Sequence, residues 1–98
     1  MITRRDLPFP HNAVQAIHAA LESAYKGPTP SEHPHLVLCE VADEPSLYRE
    51  LQRLERRGAQ MYPFHEPDRD DELTSISSGV ITDRRPFRHL KLLKERQS

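Results

Sequence analysis

Residues 66–72, Glu66-Pro67-Asp68-Arg69-Asp70-Asp71-Glu72, place five carboxylates in seven positions. Crowded carboxylates raise one another's pKa, which is one way to make a general base that activates water. Such a loop could also hold a cation. It lacks the Asp-x-Asp-x-Asp-Gly pattern that lets a calcium loop turn sharply and aim its oxygens. A plainer reading is a solvated loop whose charges keep an edge strand from pairing with other chains. The second group of interest is His11 and His18, at the start of a small-residue-rich stretch, Asn12 to Leu21. They are seven apart and share a helix face only if His11 is itself helical, against which Pro10 and an Asn12 cap argue. The remaining histidines do not fall at recognised ligand intervals. His33 and His35 are two apart on a proline-rich loop, with no cysteine or carboxylate at a ligand spacing. No metal and no cofactor are expected. Cys39 lies in the most apolar run and reads as an inert core thiol. Ser75, Ser77 and Ser78 lack a nucleophile elbow, and the three scattered glycines cannot form a phosphate-cradling loop.

The elements that would position these groups follow from hydrophobic spacing and turn signals. Residues 1–5 read as a short strand, and Asp6-Leu7-Pro8-Phe9-Pro10 as an extended lead-in. A helix is expected over 12–26, with Asn12 as N-cap, Gln15 bonding back to it, and Gly27 left-handed at the end. Val14, Ile17, Leu21, Ala24 and Tyr25 make its apolar stripe. Residues 35–41 read as an interior strand. Asp43-Glu44-Pro45 opens a second helix over 45–57, with Leu47, Leu51 and Leu54 as its stripe and Gly58 as its stop. Strands follow at 59–64, where Pro63 suggests an edge, and at 72–77. In the latter, Leu73, Ser75 and Ser77 would share one face, and Thr74 and Ile76 the other. Residues 87–93 fit a short strand or one helical turn, and Lys94 to Ser98 a frayed end. The order β-α-β-α-β-β predicts an α/β domain with a four-stranded mixed sheet covered by helices. The residues expected deepest are Leu36, Val37, Leu38, Leu51, Leu54, Ile17 and Leu21.

The bulk numbers set bounds on all of this. Ninety-eight residues make one small domain, with little core to spare. A net charge of −1 argues against a strongly basic nucleic-acid binder, though not against a local patch. Basic residues group at Arg4 and Arg5, at Arg53, Arg56 and Arg57, and at Arg84, Arg85, Arg88, Lys91 and Lys94. No apolar run approaches the roughly 18 residues of a membrane span, and the polar start does not resemble a secretory signal. A soluble protein of the cytosol, without membrane contact, is the expectation.

In order along the chain, several blocks resemble the type-2 peptidyl-tRNA hydrolase family. They are Arg5-Asp6-Leu7; Ala13-Val14-Gln15-Ala16-Ile17-His18-Ala19, with a Gln followed three residues later by His-Ala; His35 to Val41 with Asp43-Glu44; Phe64-His65-Glu66; Leu73-Thr74-Ser75-Ile76; and His89-Leu90-Lys91-Leu92-Leu93. The resemblance implies that family's fold and its reaction, cleavage of the ester joining a peptide to tRNA, without a metal. It places Glu66 where the family has a catalytic aspartate. The family's lysine-rich stretch is replaced by Pro8-Phe9-Pro10-His11-Asn12, and its loop threonine and glutamine have no counterpart.

Two readings follow. In the first, an esterase acts on peptidyl-tRNA. Glu66 or Asp68 is the base, and His18 or His11 positions it or the substrate. Gln15, Arg69 and Thr74 support the site, and Arg88 and Lys91 hold the RNA backbone. In the second, the same fold is a catalytically inactive module that binds a protein or a small ligand. A third, a small regulatory ligand-binding domain, would differ in strand order. Partners on these readings are tRNA or peptidyl-tRNA, or a protein, and a homodimer is compatible with either.

Overall fold

A computed structural model describes residues 1–94. Of the expected frayed end, Lys94 to Ser98, only Lys94 is among them, its N–H donating to Glu40 at 3.0 Å, and the rest lies outside. Five strands, β1 (Ile2–Arg4), β2 (Cys39–Val41), β3 (Met61–Glu66), β4 (Glu72–Ser78) and β5 (Lys91–Leu92), form one mixed sheet in the order β3-β4-β1-β2-β5. β1 and β2 are parallel, and the other neighbours are antiparallel. Helix α1 (His11–Lys26) covers one face and α2 (Glu44–Arg56) the other. The alternation of β1 shows the division. Ile2 joins the α2-side core, while the next residue, Thr3, bonds the α1 backbone at Asn12.

Among the described residues the sheet has five strands and not the four expected. Of the two alternatives read over 87–93 the short strand forms, as β5, and a 3₁₀ turn at Arg85–Phe87 precedes it. The apolar run 35–41 yields only three strand residues, because β1 and β5 offer three and two residues to pair with. Leu36 is 75% exposed and Val37 53%, so neither is in the core, and Leu38 is half-buried. β3 is an edge strand, as Pro63 suggested, and runs two residues later than expected.

The α2 side is a conventional apolar core of Ile2, Cys39, Leu47, Leu54, Met61, Leu73 and Ile76, with Leu51 partly buried at its margin. Asp43 caps α2 by accepting from the Ser46 N–H and hydroxyl, Pro45 sits in its first turn, and Gly58 closes it at φ 86°. The side chain of Cys39 is 7% exposed, and burial pushes its thiol pKa up. A raised pKa leaves little thiolate, so labelling by a thiol reagent is expected to be slow in native protein and fast after denaturation. Rapid native labelling would show that this core opens.

The α1 side is built differently. The buried residues of α1 are Asn12, Gln15, Ala16 and Ala19, and they meet Thr3, Thr74, Ser75 and other small or polar side chains of the sheet. The stripe expected in the core is turned outward: Val14, Ile17, Leu21, Ala24 and Tyr25 are exposed. Periodicity identifies such a stripe but not the direction it faces. Here the hydroxyl-lined sheet takes the amide-bearing face, because buried Thr and Ser hydroxyls need partners. The caps differ as well. α1 begins at His11 after Pro10 with no side-chain cap, so Asn12 and Gln15 are free to face the sheet. Gly27 is extended, not left-handed. A β-carbon at position 27 would lie 2.5 Å from Tyr62 Oη, so close approach is the reason for glycine there.

Candidate functional site

The β3–β4 pair carries an irregularity that decides which side chains meet α1. Phe64 opposes Ser75 and His65 opposes Leu73, which leaves Thr74 as an extra residue in β4. Side-chain alternation is therefore interrupted at Thr74. Leu73 and Ile76, three apart, both reach the α2-side core. Thr74 and Ser75, adjacent in sequence, both reach Gln15. The Thr74 hydroxyl donates to Gln15 Oε1 at 2.7 Å, and the Ser75 hydroxyl donates to the Gln15 carbonyl. The expected division of β4 into two alternating faces is thus corrected by the bulge.

Gln15 is fully buried and is the hub of the cluster. Its carboxamide oxygen accepts from Thr74, and its side chain lies near enough to the Glu66 carboxylate to help lower that group's pKa. With the oxygen accepting from Thr74, the amide nitrogen is the end of Gln15 left to face Glu66. Glu66 ends β3, nearly buried, and its Oε1 accepts the Asp68 N–H at 3.2 Å as the cap of the 3₁₀ turn Pro67–Arg69. The Asp68 N–H, the Gln15 amide and the nearby His18 and His11 hold the Glu66 pKa below its ordinary value. The group is an anion at neutral pH, hydrogen-bonded and fixed in direction. His18 lies exposed on α1 and stacks on Phe64, with ring centroids 4.6 Å apart and planes 11° from parallel. His11 is helical, contrary to expectation, and so shares the α1 flank with His18.

The structure therefore brings together Gln15, Thr74, Glu66, His18 and His11. Asp68 is exposed and gives the cluster its backbone N–H. Arg69 turns to Glu72, Nε to Oε1 3.6 Å. Glu72 also accepts from the buried Arg4 at 2.7 Å, and Arg4 grips Asp6 with two further bonds. Part of the loop's negative charge is thus matched by arginine. Arg88 and Lys91 are not part of the cluster: Lys91 is on β5, at the sheet edge opposite β3, and Arg88 precedes it. Phe64, Ser75, Thr3 and Asn12 belong to the site's surroundings, and none of them is among the site residues expected from sequence. Only a bulge, invisible to a period-2 reading, puts Ser75 beside Thr74.

An open depression of about 290 Å³ lies elsewhere, at the C-terminal end of β2, lined among others by Arg5, Glu40, Glu50, His89 and Lys91. Its polar groups face each other: Arg5 is 3.8 Å from Glu40, and the His89 ring is 2.8 Å from Glu50. Among the described residues no group of three or more His, Cys, Asp or Glu side chains is placed to hold a metal ion. Nor is any helix among them long and apolar enough to cross a membrane.

The lowered pKa of Glu66 has a consequence for folding. A carboxylate whose folded pKa lies below its unfolded one stabilises the fold above the unfolded value, here the ordinary 4.5. That contribution is lost as pH falls through the folded value. Acid unfolding of the wild type is expected to steepen below about pH 4.5, and Glu66→Gln should flatten the part due to this group. An unchanged acid limb in Glu66→Gln would show that its bonds are not made in solution.

Comparison of the chain with protein-family models, with curated proteins and with solved structures returns no match.

Proposed function

We propose that the protein is an ester hydrolase of the peptidyl-tRNA hydrolase type, with the Gln15–Thr74–Glu66 cluster as its site. The observation that carries this reading is one buried side chain, Gln15, that bonds Thr74 and lies beside the Glu66 carboxylate. These three residues come from three separate blocks of the family resemblance. In this reading Glu66 accepts a proton from water as the water attacks the ester carbonyl. Gln15 and Asp68 N–H hold the carboxylate in one orientation. His18, braced on Phe64, and His11 sit where a substrate phosphate or the departing hydroxyl would lie. A lowered pKa makes Glu66 a weaker base than a carboxylate poised near neutrality, but one that is fully ionised.

A second reading has its own support. Arg88 and Lys91 lie at the far sheet edge, and Arg4 and Arg69 are engaged with carboxylates. Among the described residues the cluster thus lacks the cationic surround that a polyanionic substrate favours. On this reading the domain is an inactive binding module. Release of peptide from peptidyl-tRNA by the wild type separates the two. Turnover above buffer, in samples with and without added divalent metal, supports the hydrolase. Absence of turnover in both leaves the binding module.

A further inference from the structure

Helix α1 carries a second recognition pattern on the side away from the sheet. Val14, Ile17, Leu21 and Ala24 are spaced three, four and three residues apart, the a and d positions of two successive heptads. In that frame Asn12, Gln15, Ala16 and Ala19, which pack on the sheet, take the f, b, c and f positions. The helix therefore meets its own domain with the face a coiled-coil helix normally gives to solvent. Its seam is left outside: Val14 is 45% exposed, Ile17 57%, Leu21 42% and the flanking Tyr25 80%.

We infer that this seam is a homodimer interface, in which α1 of one copy packs antiparallel against α1 of a second. Three observations favour a second copy as occupant. The first is size complementarity. Antiparallel pairing sets Val14 against Ala24 of the second copy and Ile17 against its Leu21, large against small at both ends. Parallel pairing would set Ala24 against Ala24 and leave a gap at one end. On one flank the g positions are Ala13 and Ala20, which let two identical backbones approach to about 8 Å. The second is charge. The a, d and g positions from 13 to 24 carry none, while Glu22 and Lys26, at b and f, pair with each other at 2.6 Å. Interface centres are depleted of charge in this way. Antiparallel alignment also sets the positive end of each helix dipole beside the negative end of the other. The third is area. The four large side chains expose on the order of 500 Å² per copy, so a pair buries about 1,000 Å² before the alanines are added, close to the lower bound of specific interfaces.

The test is sedimentation equilibrium of the full chain from about 10 µM to about 1 mM, beside Leu21→Glu and a Val14→Cys/Ala24→Cys double variant. The wild type is expected to reach dimer mass within that range. Leu21→Glu, with helical circular dichroism unchanged, is expected to weaken association by about 100-fold, since it buries an unpaired charge in each copy. On mild oxidation the double variant should form a covalent dimer, whereas Val14→Cys alone should not, because those positions lie about 15 Å apart in an antiparallel pair. A wild type that stays monomeric at the highest concentration overturns the inference, and so does a dimer that Leu21→Glu leaves intact. Efficient linking by Val14→Cys alone overturns the antiparallel pairing.

Discussion

Glu66→Gln is expected to lower peptide release from peptidyl-tRNA by about 10²–10⁴-fold, the usual worth of a positioned general base. Glutamine keeps the shape and can still accept the Asp68 N–H through its oxygen, so the fold should survive. What is lost is the anion. Its amide group would also face the Gln15 amide, which can turn over if the Thr74 hydroxyl then accepts from it and donates to the Phe64 carbonyl instead. Asp68→Asn distinguishes the two candidate bases. Asp68 is exposed and reaches the cluster through its backbone, which the substitution leaves in place. Its rate should stay within a few-fold of wild type. If Asp68→Asn abolishes turnover and Glu66→Gln does not, the roles assigned here are exchanged. The measurement is single-turnover release of labelled peptide, with thermal melts of each variant as the control for folding.

The largest stability effect is expected from Leu54→Ala. Leu54 is fully buried among Leu47, Leu73 and Ile76 in the α2-side core. Removing its branched end costs about 2–5 kcal/mol. In a domain of this size that lowers the melting temperature by about 8–40 °C, at about 4–8 °C per kcal/mol. Ile17→Ala is the informative comparison. From hydrophobic spacing alone the two positions rank together. With Ile17 turned outward, its truncation should change stability by no more than about 0.5 kcal/mol, partly because alanine is the better helix former. Both are to be measured at micromolar protein, where self-association does not add to the stability of α1. Equal losses at the two positions would mean that α1 packs with its apolar stripe inward.

That contrast also marks what was legible in the sequence. The existence and order of both helices and of the first four strands followed from spacing and punctuation. Asp43, Pro45 and Gly58 bounded α2 correctly, because a cap, a first-turn proline and a left-handed stop act within a few residues. The orientation of α1 did not follow. It depends on the hydroxyls of Thr3, Thr74 and Ser75, which lie far along the chain and become a polar platform only when β1 and β4 pair. The length of β2 was overestimated for a related reason: residues 35–38 have strand character but lack a neighbour long enough to pair with. At the candidate site, Glu66, Gln15, Thr74 and His18 were named from family resemblance, and the fold sets them side by side. The local signals for Gln15 pointed elsewhere, to a capping box that does not form. Lys91 and Arg88 were grouped with the site by charge alone, and strand order separates them from it.

Whether Glu66 works through Gln15 is answered most directly by a double-mutant cycle on the rate of peptide release, using wild type, Gln15→Leu, Glu66→Gln and the double variant. Residues that act as a unit are strongly non-additive. The expected result is that each single variant loses most of the rate and that the double variant is no slower than the slower single one. Losses that multiply in the double variant, or a folded Gln15→Leu protein with full activity, would contradict a site built on the Gln15–Thr74–Glu66 cluster.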